Sequence, residues 1–297
     1  MILIPDNATL RQFIPNTFST LQNQATLFDK IEPMLTEAEI WLTEHLIPEH
    51  LLIEVVDSAV SQSDPLYFLP RRIVALMAWR SAIPSLDVLI TANGISVTEN
   101  NTLKPAAKAK IDRLLSSVTT SIDATLKTLI RLLPEIPGWK DTDQAASFRQ
   151  TLFPSLRYLS MLGIFSDLWN WHEAVTPQIK AIEDRIADDF ISQELMDALR
   201  FEAQNGCNEH VRIRMIDSLR SIVLKVLRPA LPKMPSPPAV SLDVTPSAWS
   251  QIPEIDTVMA MLHHHHHDFP EFCGTLQECR LSLKPFKNRQ DSGAFFF

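Results

Sequence analysis

Five consecutive histidines, His263 to His267, form the most unusual stretch of the sequence. His263 and His267 stand four apart, so a continuous helix would bring both imidazoles to one face, where they could clamp a transition metal. No third ligand follows at a matching interval, and Cys273 and Cys279 are spaced unlike the cysteines of a zinc knuckle. The expectation is a solvated, histidine-rich helix end without bound metal or cofactor, with His263 and His267 as the weak candidate ligands. Gly206-Cys207-Asn208-Glu209-His210 gathers a thiol, an amide and an imidazole. In thiol catalysis such groups meet through the fold rather than along the chain, so this segment reads as a turn between helices. Glu183, Asp184, Asp188 and Asp189 carry carboxylates suited to Mg²⁺. A run of charge on a helix is ordinarily its wet side, and that is the reading adopted. Phe165, Trp169 and Trp171 crowd around His172 and are expected in the core. None of these groupings argues for an enzyme, and no catalytic residue is assigned.

Composition narrows the classes further. Only 6 glycines occur in 297 residues, whereas phosphate-cradling loops and tight βαβ turns need glycine where the backbone bends sharply. A nucleotide-binding α/β fold is therefore disfavoured. The net charge of -8 gives no general attraction to nucleic acid or anionic lipid, leaving room only for a local basic patch. No apolar run approaches the roughly 20 residues that span a bilayer. The opening Met-Ile-Leu-Ile-Pro-Asp lacks the basic and apolar regions of a cleaved signal. Three cysteines, an odd number without scaffold spacing, suit a reducing compartment.

Periodicity predicts a mainly α protein. Residues 1–22 read as an N-terminal arm with at most one short helix. Ile31, Leu35, Ala38, Leu42 and Leu46 recur at helical spacing, with Pro33 suited to a first turn. Further helices are expected from near Pro48 and from Pro65 through Ala82. Asn93-Gly94 between β-branched runs then predicts a hairpin over 86–98, with Ile90 facing Val97. A long helix after Pro105 carries the stripe Ile111, Leu115, Val118, Ile122, Leu126, Leu129 and Leu133. Beyond it the pattern predicts helices from about Ala145 to Leu168, from Pro177 to Glu202 with a break near Ser192, from His210 to Leu227, and from Ala248 to about His265. Five prolines between Pro229 and Pro238 favour an extended linker. The remainder is expected to be irregular.

A shift of 144 positions aligns Ile31 with Val175, Pro33 with Pro177, Leu35 with Ile179, Glu39 with Glu183, Leu42 with Ile186 and Leu51 with Leu195. This suggests two related helical-bundle modules, with pseudo-twofold packing expected if the repeat is a duplication. The organisation expected is an arm (1–22), a first module with the inserted β-hairpin and long helix (23–138), a second module (139–228), and a Pro-rich linker, short helix and extended C-terminal arm (229–297). Phe295, Phe296 and Phe297 close the chain, and each phenylalanine gains roughly 1.5–3 kcal/mol on burial. Docking on the same chain and docking on a neighbouring subunit are both open readings.

The block Ile83-Pro84-Ser85-Leu86-Asp87-Val88-Leu89-Ile90-Thr91-Ala92-Asn93-Gly94-Ile95-Ser96-Val97, with Leu103-Lys104-Pro105-Ala106-Ala107-Lys108 and Ile111-Asp112-Arg113-Leu114, resembles an uncharacterised family. That family is encoded among the virion structural genes of phages and prophages of Bacteroides-type bacteria. The ending, Phe286-Lys287-Asn288 and the closing phenylalanines, is similar too, while the pentahistidine and the N-terminal arm depart from it. The resemblance implies a head-to-tail connector or neck adaptor made in the host bacterial cytoplasm and assembled as a homo-oligomeric ring in the virion. It would contact portal or tail and neck subunits, with no membrane and no sequence-specific nucleic acid, although near packaged DNA. Ile90, Asn93, Gly94, Ile95, Val97, Phe286 and Phe295–Phe297 are the expected partner contacts. The competing classes are a non-virion assembly chaperone and a metal-dependent enzyme using the His-rich stretch.

Overall fold

The computed structural model describes residues 3–14, 26–58, 64–86, 88–91, 94–97, 108–231 and 252–282. It is mainly helical. Contacts divide the chain into two units, one of Met1–Phe148 and Ser155–His172, the other of Arg149–Pro154 and Glu173–Phe297.

Unit 1 opens with a short helix α1 (Asn7–Phe13), started by Asp6, whose carboxylate accepts the Thr9 N–H. Leu3, Ile4, Leu10 and Ile14 are buried, so the segment expected as an arm is packed into the unit over 3–14. Helix α2 (Leu27–His45) begins at a reciprocal cap. The Thr26 N–H donates to Asp29 at 2.7 Å, and the Asp29 N–H returns to the Thr26 hydroxyl at 3.2 Å. That cap starts the helix earlier than expected and leaves Pro33 inside it, not in its first turn. After α3 (Glu49–Ser58), Asp64 caps α4 (Pro65–Ala82) by accepting the Leu66 N–H, with Pro65 placed where no N–H is needed. Burial of Ile73, Val74, Ala75, Leu76 and Ala78 wraps around more than one face of α4. It is accordingly the central helix, packed on α2 and on α5 (Lys108–Leu132).

Between α4 and α5 two strands pair antiparallel, β1 (Val88–Thr91) with β2 (Gly94–Val97). Their register sets Ile90 opposite Ile95 and Val88 opposite Val97. The expected pairing of Ile90 with Val97 is therefore corrected. The observed register matches β-branched residue types across the ladder, whereas a turn centred on Asn93-Gly94 would have set Val88 against Glu99.

The long helix expected over Ala145 to Leu168 is replaced by two short ones, α6 (Asp143–Phe148) and α7 (Arg157–Met161). Pro154 and the positive φ of Gly163 and Asp167 interrupt the path. The boundary expected at 138 also moves. Trp139 donates its indole N–H to the Leu46 carbonyl at 2.7 Å, and Gln144 donates to the Thr43 carbonyl at 2.8 Å, which keeps 139–148 in unit 1.

Helix α8 (Leu168–Asp189) starts nine residues before Pro177, which lies inside it. Its start is fixed from a distance. Asp123 on α5 accepts the N–H groups of Asp167 and Leu168 at 2.9 and 3.0 Å, and so caps the helix end from outside its own segment. In unit 2, Ser192 caps α9 (Gln193–Asn205), which is followed by α10 (His210–Ala230), α11 (Pro253–His264) and α12 (Leu276–Ser282). Helix α10 runs on through Pro229, and α12 occupies a stretch expected to be irregular. The Pro-rich stretch from 232 to 251 and the tail from 283 lie outside the described residues.

The two units share one local device. Near the middle of α2, Glu39 accepts the Leu3 N–H at 3.0 Å, with Leu3-Ile4-Pro5 running past it. In α8, Glu183 accepts the Leu152 N–H at 2.9 Å, with Leu152-Phe153-Pro154 running past it. In each case the glutamate lies six residues after an in-helix proline, Pro33 or Pro177, and the donor's segment is buried.

Candidate interaction surface

Helix α11 ends at His264, and His266–Asp268 turn as a 3-10 helix. His263 and His267, the weak candidate ligands, therefore do not share one helical face. His265 instead reaches Asp268 at 3.4 Å, while the His266 and His267 rings meet tilted, with centroids 3.7 Å apart. Among the described residues no group of three or more His, Cys, Asp or Glu side chains is arranged to hold a metal ion. The Cys207 thiol sits in the turn after Gly206. Burial pushes its pKa up, opposite to the shift that activates a thiolate.

The acidic run in α8 is not simply a wet face. Glu183 is fully buried, and its second oxygen receives Arg200 Nε at 2.9 Å. Arg200 also reaches Asp184 at 2.8 Å and Asp197 at 3.0 Å. Burial raises the Glu183 carboxyl to about 7, against the opposing pull of Arg200 and the Leu152 N–H. A lone sequence cannot show this, because Arg200 arrives from α9. A second hub is Arg212, which donates to Glu202 at 2.8 Å, to the Asp268 carbonyl at 2.9 Å and to Glu271 at 3.1 Å. It fastens the segment after the histidines to α9 and α10. Burial works against the Arg212 charge, and Glu202 and Glu271 outweigh it. These arginines hold the fold together.

Of the aromatic residues expected in the core, Trp171 and His172 are buried, but Phe165 is 72% exposed. His172 meets the Tyr158 hydroxyl at 3.0 Å and stacks on Phe148. Burial lowers its pKa to about 4, so it is neutral at physiological pH.

Side chains able to meet a partner lie elsewhere. Phe165 and Met161 point outward on unit 1, and Phe201 and Leu276 on unit 2. On α5, nothing from Lys108 to Ser117 is buried, and the core-facing stripe begins only at Val118. Of the expected contact residues, Asn93, Phe286 and Phe295–Phe297 lie outside the described residues. Ile90, Gly94, Ile95 and Val97 are placed only as members of β1 and β2.

Residues 20–149 match the model of a family of unknown function, DUF6712. The matched stretch takes in α2 to α6 with both strands, and it ends within one residue of the division after Phe148. No curated protein and no solved structure matches the chain. The DUF6712 match covers less than half of the sequence and carries no activity with it.

Proposed function

We propose that this protein is a structural subunit of a phage particle, a head-to-tail connector or neck adaptor that assembles as a ring. The observation that carries the reading is the division of labour among side chains. The buried charged groups Glu183, Arg200, Asp123 and Arg212 are engaged in bonds that hold helices together, whereas large apolar side chains such as Phe165, Phe201 and Leu276 face outward. Helical units with outward apolar anchors are suited to protein contacts. The resemblance of Ile83–Val97, Leu103–Lys108 and Ile111–Leu114 to a virion-cluster family supports the same reading.

The two units descend, on this proposal, from one helical module, and the hairpin and α5 are inserted between the copies. The matching in-helix prolines and glutamate-held segments at Leu3 and Leu152 support that descent. The hairpin and the phenylalanine-rich tail serve as contact elements toward the ring neighbours and the portal or tail subunits. The subunit is made in the host cytoplasm and ends in the virion; no helix among the described residues is long and apolar enough to cross a membrane.

Deleting Lys284–Phe297 tests the contact role. The truncated chain is expected to keep its helical circular dichroism while particle yield collapses. Unchanged particle yield would remove the tail from the assembly role.

A further inference from the structure

The start of α5 presents a patterned face on which no residue from Lys108 to Ser117 is buried. Lys110 and Arg113 turn away from the buried stripe that starts at Val118, and Leu114 stands between them and that stripe, one turn before Val118. Leu114 is 42% exposed, and neither cation makes an ion pair among the described residues. The first turn of α5 contains no acidic residue, so cations accumulate at the end of the helix where its dipole disfavours them.

Unit 2 carries the reverse pattern. Helix α8 ends on Asp188 and Asp189 with no basic residue in its last turn, where the dipole disfavours anions. Asp188 and Glu194 line an open depression of about 470 Å³, whose rim includes Leu276, 74% exposed. Neither carboxylate forms an ion pair among the described residues. Two cations beside an exposed leucine on one unit thus correspond to two anions beside an exposed leucine on the other, none of the four ion-paired among the described residues.

We infer that the Lys110–Arg113–Leu114 face of one copy docks into the Asp188–Glu194–Leu276 depression of a second copy of this chain. The two contacting surfaces differ, so the contact is head-to-tail. Every copy offers both halves, and repetition closes a ring when the rotation per step permits it. This deepens the ring assembly proposed above and rests on it. Because the attraction is between exposed charges, association weakens as salt is raised.

Sedimentation velocity of the full chain across concentration, at low and high salt, tests the contact. The wild-type chain is expected to self-associate. K110E/R113E and D188K/E194K, each alone, are expected to weaken association about tenfold or more. Mixing the two variants restores it, since each then meets a complementary face. L114S, which keeps every charge, weakens it as well. Circular dichroism verifies that each variant is folded. Wild-type-like association of the charge variants, failure of the mixture to recover, or a wild-type chain that stays monomeric throughout would overturn the inference. The ring reading is judged separately, by whether the chain is found in purified particles.

Discussion

Units 1 and 2 place a glutamate at the same point of a proline-containing helix, yet the two glutamates are buried to different depths. Glu39 is 9% exposed and accepts the Leu3 N–H. Glu183 has no exposure and accepts the Leu152 N–H while also pairing with Arg200. Glu183 pairs with Arg200 at 2.9 Å, and Glu39 acts on the buried Arg71, whose charge it favours. Burial at Glu183 works against the charged form, and Arg200 offsets much of the cost. Unit 1 holds another buried titratable group at His172, where burial again favours the neutral form.

Removing the glutamates sharpens the comparison most. Glu183→Ala leaves Arg200 without its buried partner and the Leu152 N–H without an acceptor, and is expected to cost about 3–5 kcal/mol. Glu39→Ala is expected to cost about 1–3 kcal/mol. Hydrogen exchange resolved by segment checks both, with the loss confined to the unit that carries the substitution. Equal losses would break the comparison.

The second difference is in pH. His172 has a folded-state pKa of about 4, below its usual 6.5, so its contribution is fully present above pH 6.5 and is lost as pH falls through 4. The shift corresponds to about 3 kcal/mol. Glu183 is raised from 4.5 to about 7, so its contribution is fully present below pH 4.5 and is lost as pH rises through 7. Acid is therefore expected to loosen unit 1 and to favour unit 2. Tryptophan fluorescence reports the first effect, because Trp41, Trp79, Trp139, Trp169 and Trp171 all belong to unit 1. His172→Gln should flatten the acid dependence between pH 6.5 and 4.

Smaller effects come from the helix starts. Asp123→Ala frees two N–H groups at the start of α8 and is expected to cost about 2 kcal/mol. Thr26→Ala removes a cap made within four residues and is expected to cost about 1 kcal/mol. Thermal unfolding of the two variants should rank them in that order.

That pair also explains what was legible in the sequence. The bounds of α4 are readable because Asp64-Pro65 and Pro84 stand beside them. The start of α8 is not, because its cap comes from Asp123, 44 residues earlier along the chain. The hairpin strands are marked by their β-branched runs, but the register depends on pairing across the ladder and is displaced from the Asn93-Gly94 expectation. The acidic run of α8 gave no sign that Glu183 is interior, because the arginine that accounts for it lies on α9. Likewise the histidine run hid a helix end at His264, which separates His263 from His267. On α5 the amphipathic stripe was readable, but not that none of its first ten residues is buried.

Quantitative mass spectrometry of purified phage particles tests the central claim most directly. The account predicts this chain in mature particles at a fixed multiple of the portal subunit, as a ring component requires. Its presence in infected cells but absence from mature particles would contradict the account and favour an assembly chaperone.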